Sequence, residues 1–157
     1  MKKIVFALLI LLFAANIHGQ TVTIRPGGSI GCCSADDMKG LSYSYGLKIL
    51  LMANEFQRYG IKIDHLNILA DEKQSYLCTG LFLEQVVFKY FNMGIGTVGY
   101  INTKQQGENP FGIYSHLGFE YNFVKWFGIV AGDQSDFIFR KPFTTNNAFL
   151  LEIGFRF

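Results

Sequence analysis

Apolar and polar residues alternate along most of this chain with the two-residue period of a strand that shows each face to a different environment. Leu41, Tyr43, Tyr45, Leu47, Ile49 and Leu51 alternate with Ser42, Ser44, Gly46, Lys48 and Leu50. Phe111, Ile113, Leu117, Phe119, Tyr121 and Phe123 do the same against Gly112, Tyr114, His116, Gly118, Glu120 and Asn122, with Ser115 the one break. At the C-terminus Phe149, Leu151, Ile153, Phe155 and Phe157 interleave with Ala148, Leu150, Glu152, Gly154 and Arg156. Fainter versions fill the gaps, so the pattern predicts strands over 21–32, 41–52, 58–69, 76–88, 91–102, 111–123, 127–139 and 148–157. The connectors at 53–57, 89–90 and 124–126 are short. Those at 33–40, 70–75, 103–110 and 140–147 are polar and longer, and an up-and-down meander with both termini on the short-turn side follows. Asp133 to Asp136 interrupts the apolar alternation and reads as a bulge or as chain leaving a membrane.

Alternation does not say which face is inside, but volume does. An eight-stranded barrel has an interior just wide enough for side chains, and the bulky set on the three clearest strands is too large for it. The opposite set is small or charged, with Gly46, Gly112, Gly118 and Gly154 among Lys48, Glu120, Glu152 and Arg156, as suits a crowded polar lumen. Aromatic residues collect near the short turns: Phe56, Tyr59, Tyr90, Phe91, Tyr121, Phe123, Trp126, Phe127, Phe155 and Phe157. Such a ring is the girdle that membrane barrels place at an interface. The fold class expected is therefore all-β, an eight-stranded antiparallel up-and-down transmembrane barrel.

The first residues follow a different rule. Lys2 and Lys3 precede the apolar run from Ile4 to Ala15, a run of twelve that is too short for a bilayer. This reads as a cleaved secretory signal peptide over 1–19, with the barrel domain over 20–157. Only 17% of the chain is charged, against about 25% in ordinary soluble domains. Loss of Lys2 and Lys3 leaves 12 of the 14 Lys and Arg against 12 Asp and Glu. The mature chain is neutral, and no basic footprint for nucleic acid exists.

The last strand, FLLEIGFRF, carries Leu151, Ile153, Phe155 and a terminal Phe157. It resembles the C-terminal assembly signal of bacterial outer-membrane β-barrels, and with the leader and eight strands the chain resembles the small OmpA/OmpX-type barrels. The resemblance implies a monomer in the outer membrane of a Gram-negative bacterium, with periplasmic termini. Its expected partners are outer-membrane lipid, lipopolysaccharide and, during insertion, the barrel-assembly machinery. No cofactor is implied.

The inward parity gathers Arg25, Lys48, Lys62, Asp64, Glu84, His116, Glu120, Glu152 and Arg156. Isolated ions there would be costly, and pairing offsets their desolvation, so these residues are expected to form a structural salt-bridge network that plugs the lumen. Lys62 with Asp64, and Glu152 with Arg156, are natural local pairs. Function is then structural or surface interaction, with no catalytic, cofactor or metal residues. The alternatives are a lipid A-modifying enzyme and a soluble periplasmic carrier of an apolar ligand. Lipid A deacylase barrels carry Ser and His two residues apart on one strand, whereas Ser115 and His116 are adjacent and point to opposite faces. His65 has outward parity but no serine in its own strand. Cys32 and Cys33 near the end of strand one, and Cys78 in strand four, belong to non-adjacent strands, and free thiols are expected.

Overall fold

The structure is a computed structural model and describes residues 21–35, 38–70, 73–103 and 108–157; the leader assigned to 1–19 lies outside them. Eight strands follow in order: β1 (Val22–Ala35), β2 (Met38–Met52), β3 (Gln57–Leu69), β4 (Gln74–Phe88), β5 (Phe91–Asn102), β6 (Phe111–Val124), β7 (Phe127–Phe139) and β8 (Thr144–Arg156). Each pairs antiparallel with its sequence neighbours, and β8 pairs with β1, which closes the barrel. Closure leaves no free sheet edge. Val22 and Phe157 seal the seam by exchanging backbone hydrogen bonds of 3.1 and 2.8 Å.

The register fixes the barrel's stagger. Following paired residues from Thr23 through Leu50, Gly60, Phe82, Gly96, Tyr114, Asp136 and Asn146 returns to β1 at Cys33, ten positions beyond Thr23. A path across the strands therefore climbs toward the long-loop end as it passes from β1 to β2 and onward, and the strands are tilted accordingly. Strands of 12 to 15 residues exceed the roughly 9–11 that cross a hydrocarbon core when tilted.

Two segments expected to be loop are ladder. β1 runs on to Ala35 and β2 starts at Met38, with Cys33 paired to Gly40 and Ala35 to Met38. β8 begins at Thr144, where Thr-Thr-Asn-Asn pairs with both β1 and β7. Polar composition suggested loops there, but Thr144 and Asn146 are inward and buried, and a polar lumen accepts such side chains. The bulge expected at Asp133 to Asp136 is absent. These residues keep continuous register with β6 and β8, Gln134 and Asp136 are buried, and Phe137 and Phe139 continue the exposed apolar face beyond them. The register shifts lie instead between Val86 and Phe88 and between Asn122 and Val124, next to the short turns.

The two faces separate cleanly. Phe119 and Ile153 are 47% and 43% exposed, while Lys48, Glu120 and Glu152 are 4%, 7% and 3% exposed. Near the short turns an aromatic chain runs Tyr90, Tyr121, Phe123, Phe127, Phe155, with successive centroids 5.1 to 6.2 Å apart. A second cluster, Phe111, Phe139 and Phe143, sits at the long-loop end. The interior is more mixed than the expected polar lumen: Leu66, Ile68, Tyr76, Phe82, Tyr100, Tyr114 and Ile138 belong to one buried apolar cluster that also holds Cys33 and Cys78.

Candidate functional site

Inward positions of every strand contribute to the network at the barrel axis, because side chains two apart share a face. Glu84, 0% exposed, is its centre. Its carboxylate accepts from Arg25 Nη1 at 2.7 Å and Arg58 Nη1 at 2.8 Å, and His116 Nε2 lies 3.1 Å away. Glu120 accepts from Arg25 Nη2 at 2.7 Å, Arg58 Nη1 at 2.5 Å and Arg156 Nη2 at 3.2 Å. Two carboxylates held among three guanidiniums are each charge-compensated several times, the condition under which ions survive burial.

Toward the long loops, Lys48 Nζ lies 2.5 Å from Glu152 Oε1. The two reach each other over β1, where Gly27 pairs with both Gly46 and Glu152. A Cβ on Gly27 would sit 2.7 Å from Glu152 Cγ, so the bare backbone makes room for this pair. Lys62 bridges Asp64 at 3.4 Å and Asp136 at 3.5 Å, with its ammonium 4.0 Å from the Tyr114 ring centroid. Asp136 also accepts from Tyr100, Gln134 and Asn146.

Eight of the nine candidates named from the sequence are buried, and Arg156 is partly so. The local pair Lys62 with Asp64 is present. Glu152 with Arg156 is not a pair: Glu152 goes to Lys48 and Arg156 to Glu120, because partners from other strands are better placed across the lumen. Sequence reasoning missed Arg58 and Asp136. Arg58 is the second residue of β3, where strand ends are least legible, and Asp136 sat in the segment taken as irregular; strict even parity from Lys62 and from Glu120's cross-strand neighbours would have found both. The buried charged set is then Arg25, Lys48, Arg58 and Lys62 against Asp64, Glu84, Glu120, Asp136 and Glu152, with Arg156 the balancing cation.

The outer wall carries a second polar cluster. Tyr45 on β2 is paired with His65 on β3, and Asn67 is paired with Ser75 on β4. The Tyr45 hydroxyl is 3.0 Å from His65 Nδ1, Ser75 Oγ is 2.6 Å from His65 Nε2, and Asn67 Oδ1 is 3.1 Å from Ser75 Oγ. The serine absent from His65's own strand is supplied diagonally by the next one, a relation of register that spacing along one strand cannot show. Ser115 and His116 do point to opposite faces, with His116 buried against Glu84. All three cysteines are free, Cys33 and Cys78 buried and Cys32 exposed.

The class this geometry defines is the small closed antiparallel barrel with a charged axis and an oily exterior, the fold of eight-stranded outer-membrane barrels. Among solved structures, Ail, the attachment invasion locus protein of Yersinia pestis, matches with a TM-score of 0.55 and 14% identity over 87% of this chain and 98% of Ail. Neisserial surface protein A matches with a TM-score of 0.59 and 12% identity over 88% and 96%. The outer membrane protein AlkL, solved in DMPC lipid bilayers, matches with a TM-score of 0.57 and 8% identity over 88% and 90%. No protein-family profile matches the chain, and no curated protein does.

Proposed function

We propose that this is a monomeric integral barrel of a Gram-negative outer membrane, made with a cleaved leader over 1–19 and carrying its termini on the periplasmic side. Its lumen is shut by its own side chains, and its role is structural support of the envelope or surface interaction through the long-loop end. The observation that carries the reading is the inverted distribution of residues. Ions are paired at the axis and rings and aliphatic chains cover the outside, an arrangement unstable in water and stable in lipid. A closed lumen is supported by the space between Arg25, Lys48, Lys62, Asp64 and Glu152, a cavity of about 20 Å³, enough for a single water. Outer-membrane lipid and lipopolysaccharide would cover the exterior, and the strand ending at Phe157 would present the signal read by the barrel-assembly machinery.

Carbonate extraction followed by gel electrophoresis with and without boiling tests this. The protein is expected to stay in the membrane fraction and to change mobility on boiling. Release by carbonate, with one mobility, would refute it. In planar bilayers the folded protein is expected to give no stable ion current, and large lasting openings would refute the closed lumen.

A further inference from the structure

We propose that Ser75 and His65 form a nucleophile and general-base pair on the lipid-facing wall, which hydrolyses an acyl ester of an outer-leaflet lipid. The inference rests on the membrane placement above. Its first support is the hydrogen-bonded chain itself. Ser75 Oγ lies 2.6 Å from His65 Nε2, and the other ring nitrogen is held 3.0 Å from the Tyr45 hydroxyl, which is the relation of nucleophile, base and orienting group that acyl transfer needs. At rest the Ser75 hydroxyl donates to Asn67 Oδ1; in the productive direction it turns to His65, whose Nδ1–H donates to the Tyr45 oxygen and whose Nε2 accepts the Ser75 proton. Ser75 is held in place by its backbone, whose carbonyl accepts from the Thr103 amide at 3.0 Å and the Thr103 hydroxyl at 3.1 Å.

The second support is a groove beside the pair. Gly28 faces outward between Tyr45 and Leu151, its partners on β2 and β8, and its missing side chain leaves a trough walled by Ile30, Tyr43, Tyr45, Phe149 and Leu151. Tyr45 belongs to both the trough and the hydrogen-bonded chain.

The stagger sets their relative heights. Since a path across the strands climbs toward the long-loop end from β8 to β1 and on to β3, Leu151, Gly28, Tyr45 and His65 rise in that order. Ser75, opposite Asn67 and so beyond His65, lies higher still. A lipid standing with its chain in the trough and its headgroup toward the long loops presents its ester at the level of partly exposed His65 and of Ser75, which is only 7% exposed. Lipid from the other leaflet would present its ester at the opposite end of the barrel.

The chemistry closes with water alone. Ser75 Oγ attacks the ester carbonyl as its proton passes to His65 Nε2. Collapse breaks the bond to the alcohol, which takes the proton from His65. Water, deprotonated by His65, then releases the fatty acid from Ser75 and restores the hydroxyl. Tyr45 is a positioning residue in this scheme.

The test uses the full chain, refolded in detergent and shown to be folded by its mobility shift. A fluorophosphonate probe is expected to label wild type, with peptide mass spectrometry placing the adduct on Ser75. Ser75→Ala should abolish labelling, and His65→Gln should slow it by about 10²-fold or more. Tyr45→Phe keeps the ring in the trough, so kcat should fall about tenfold with KM unchanged; a change in KM alone would deny Tyr45 its role. Phosphatidylethanolamine vesicles and purified lipopolysaccharide are offered separately, and fatty acid released in either arm identifies the source. Should Ser75→Ala fail to fold, incorporation of 18O from water into the released acid and the mapped adduct decide on wild type alone. Folded protein that takes no label on Ser75, or releases no fatty acid in either arm, overturns the proposal while leaving the barrel reading intact. Absence of the mobility shift would instead defeat the barrel reading.

Discussion

Glu84 shows what a single residue contributes in this interior. It is fully enclosed and serves two arginines and a histidine, so removing its charge leaves Arg25 and Arg58 to share Glu120. Glu84→Ala is expected to lose about 3–5 kcal/mol, the usual result of stranding a buried ion, read as a lower urea midpoint for the mobility shift in vesicles. The pair Lys48 and Glu152 offers the complementary experiment. Lys48→Met alone strands Glu152 and should destabilise comparably. Lys48→Met with Glu152→Leu removes both charges beside Phe82 and Tyr114, and should recover most of the loss, because the desolvation of both ions disappears with their attraction. A double variant no better than the single would show that the charges matter for more than each other.

At the scale of strands, glycine decides how closely walls and contents fit. Gly94 on β5 pairs with His116 on β6, and a Cβ on Gly94 would come 2.6 Å from the imidazole Nδ1. Gly94→Ala should push the ring off Glu84 and cost about 1–3 kcal/mol, as overpacking does; unchanged urea stability would show the ring free to move. Pro26 is accommodated by another device. It lies where the β1–β8 ladder skips Arg25 and Pro26, at a seam position that asks for no donor from it. The last strand has a part in closure as well as a resemblance to an assembly signal. Deleting Phe157 removes both backbone bonds to Val22 along with an exposed ring, and the folded fraction after refolding is expected to drop relative to full-length protein.

For the whole molecule, the separation of inside from outside is testable with its own thiols. Cys33 and Cys78 are each 1% exposed inside the barrel, whereas Cys32 faces outward. In detergent micelles a maleimide should modify one thiol per folded chain, at Cys32, and three after boiling in denaturant. Rapid modification of Cys33 or Cys78 with Cys32 spared would mean the sheet is turned the other way. The stagger of ten acts at this scale too. It tilts every strand, and it lifts Ser75 above the trough at Gly28, so a property of the closed sheet determines which end of a lipid meets which residues.

The amino-acid sequence by itself settled the strand count, the two faces and the opposition of oily and charged sets, since each follows from a two-residue period that any strand must obey. It also marked Lys62 and Asp64 as neighbours, because residues two apart on one strand stay neighbours in any fold. Partnerships across strands were decided only by tertiary structure. Arg156 meets Glu120 rather than Glu152, Lys48 crosses over Gly27 to Glu152, and Ser75 meets His65, all because closure and stagger bring together residues far apart in the chain. Periodicity carries no record of register, and the polar segments 33–35 and 144–147 read as loop for the same reason: only the neighbouring strands supply their ladder and the lumen that accepts their side chains.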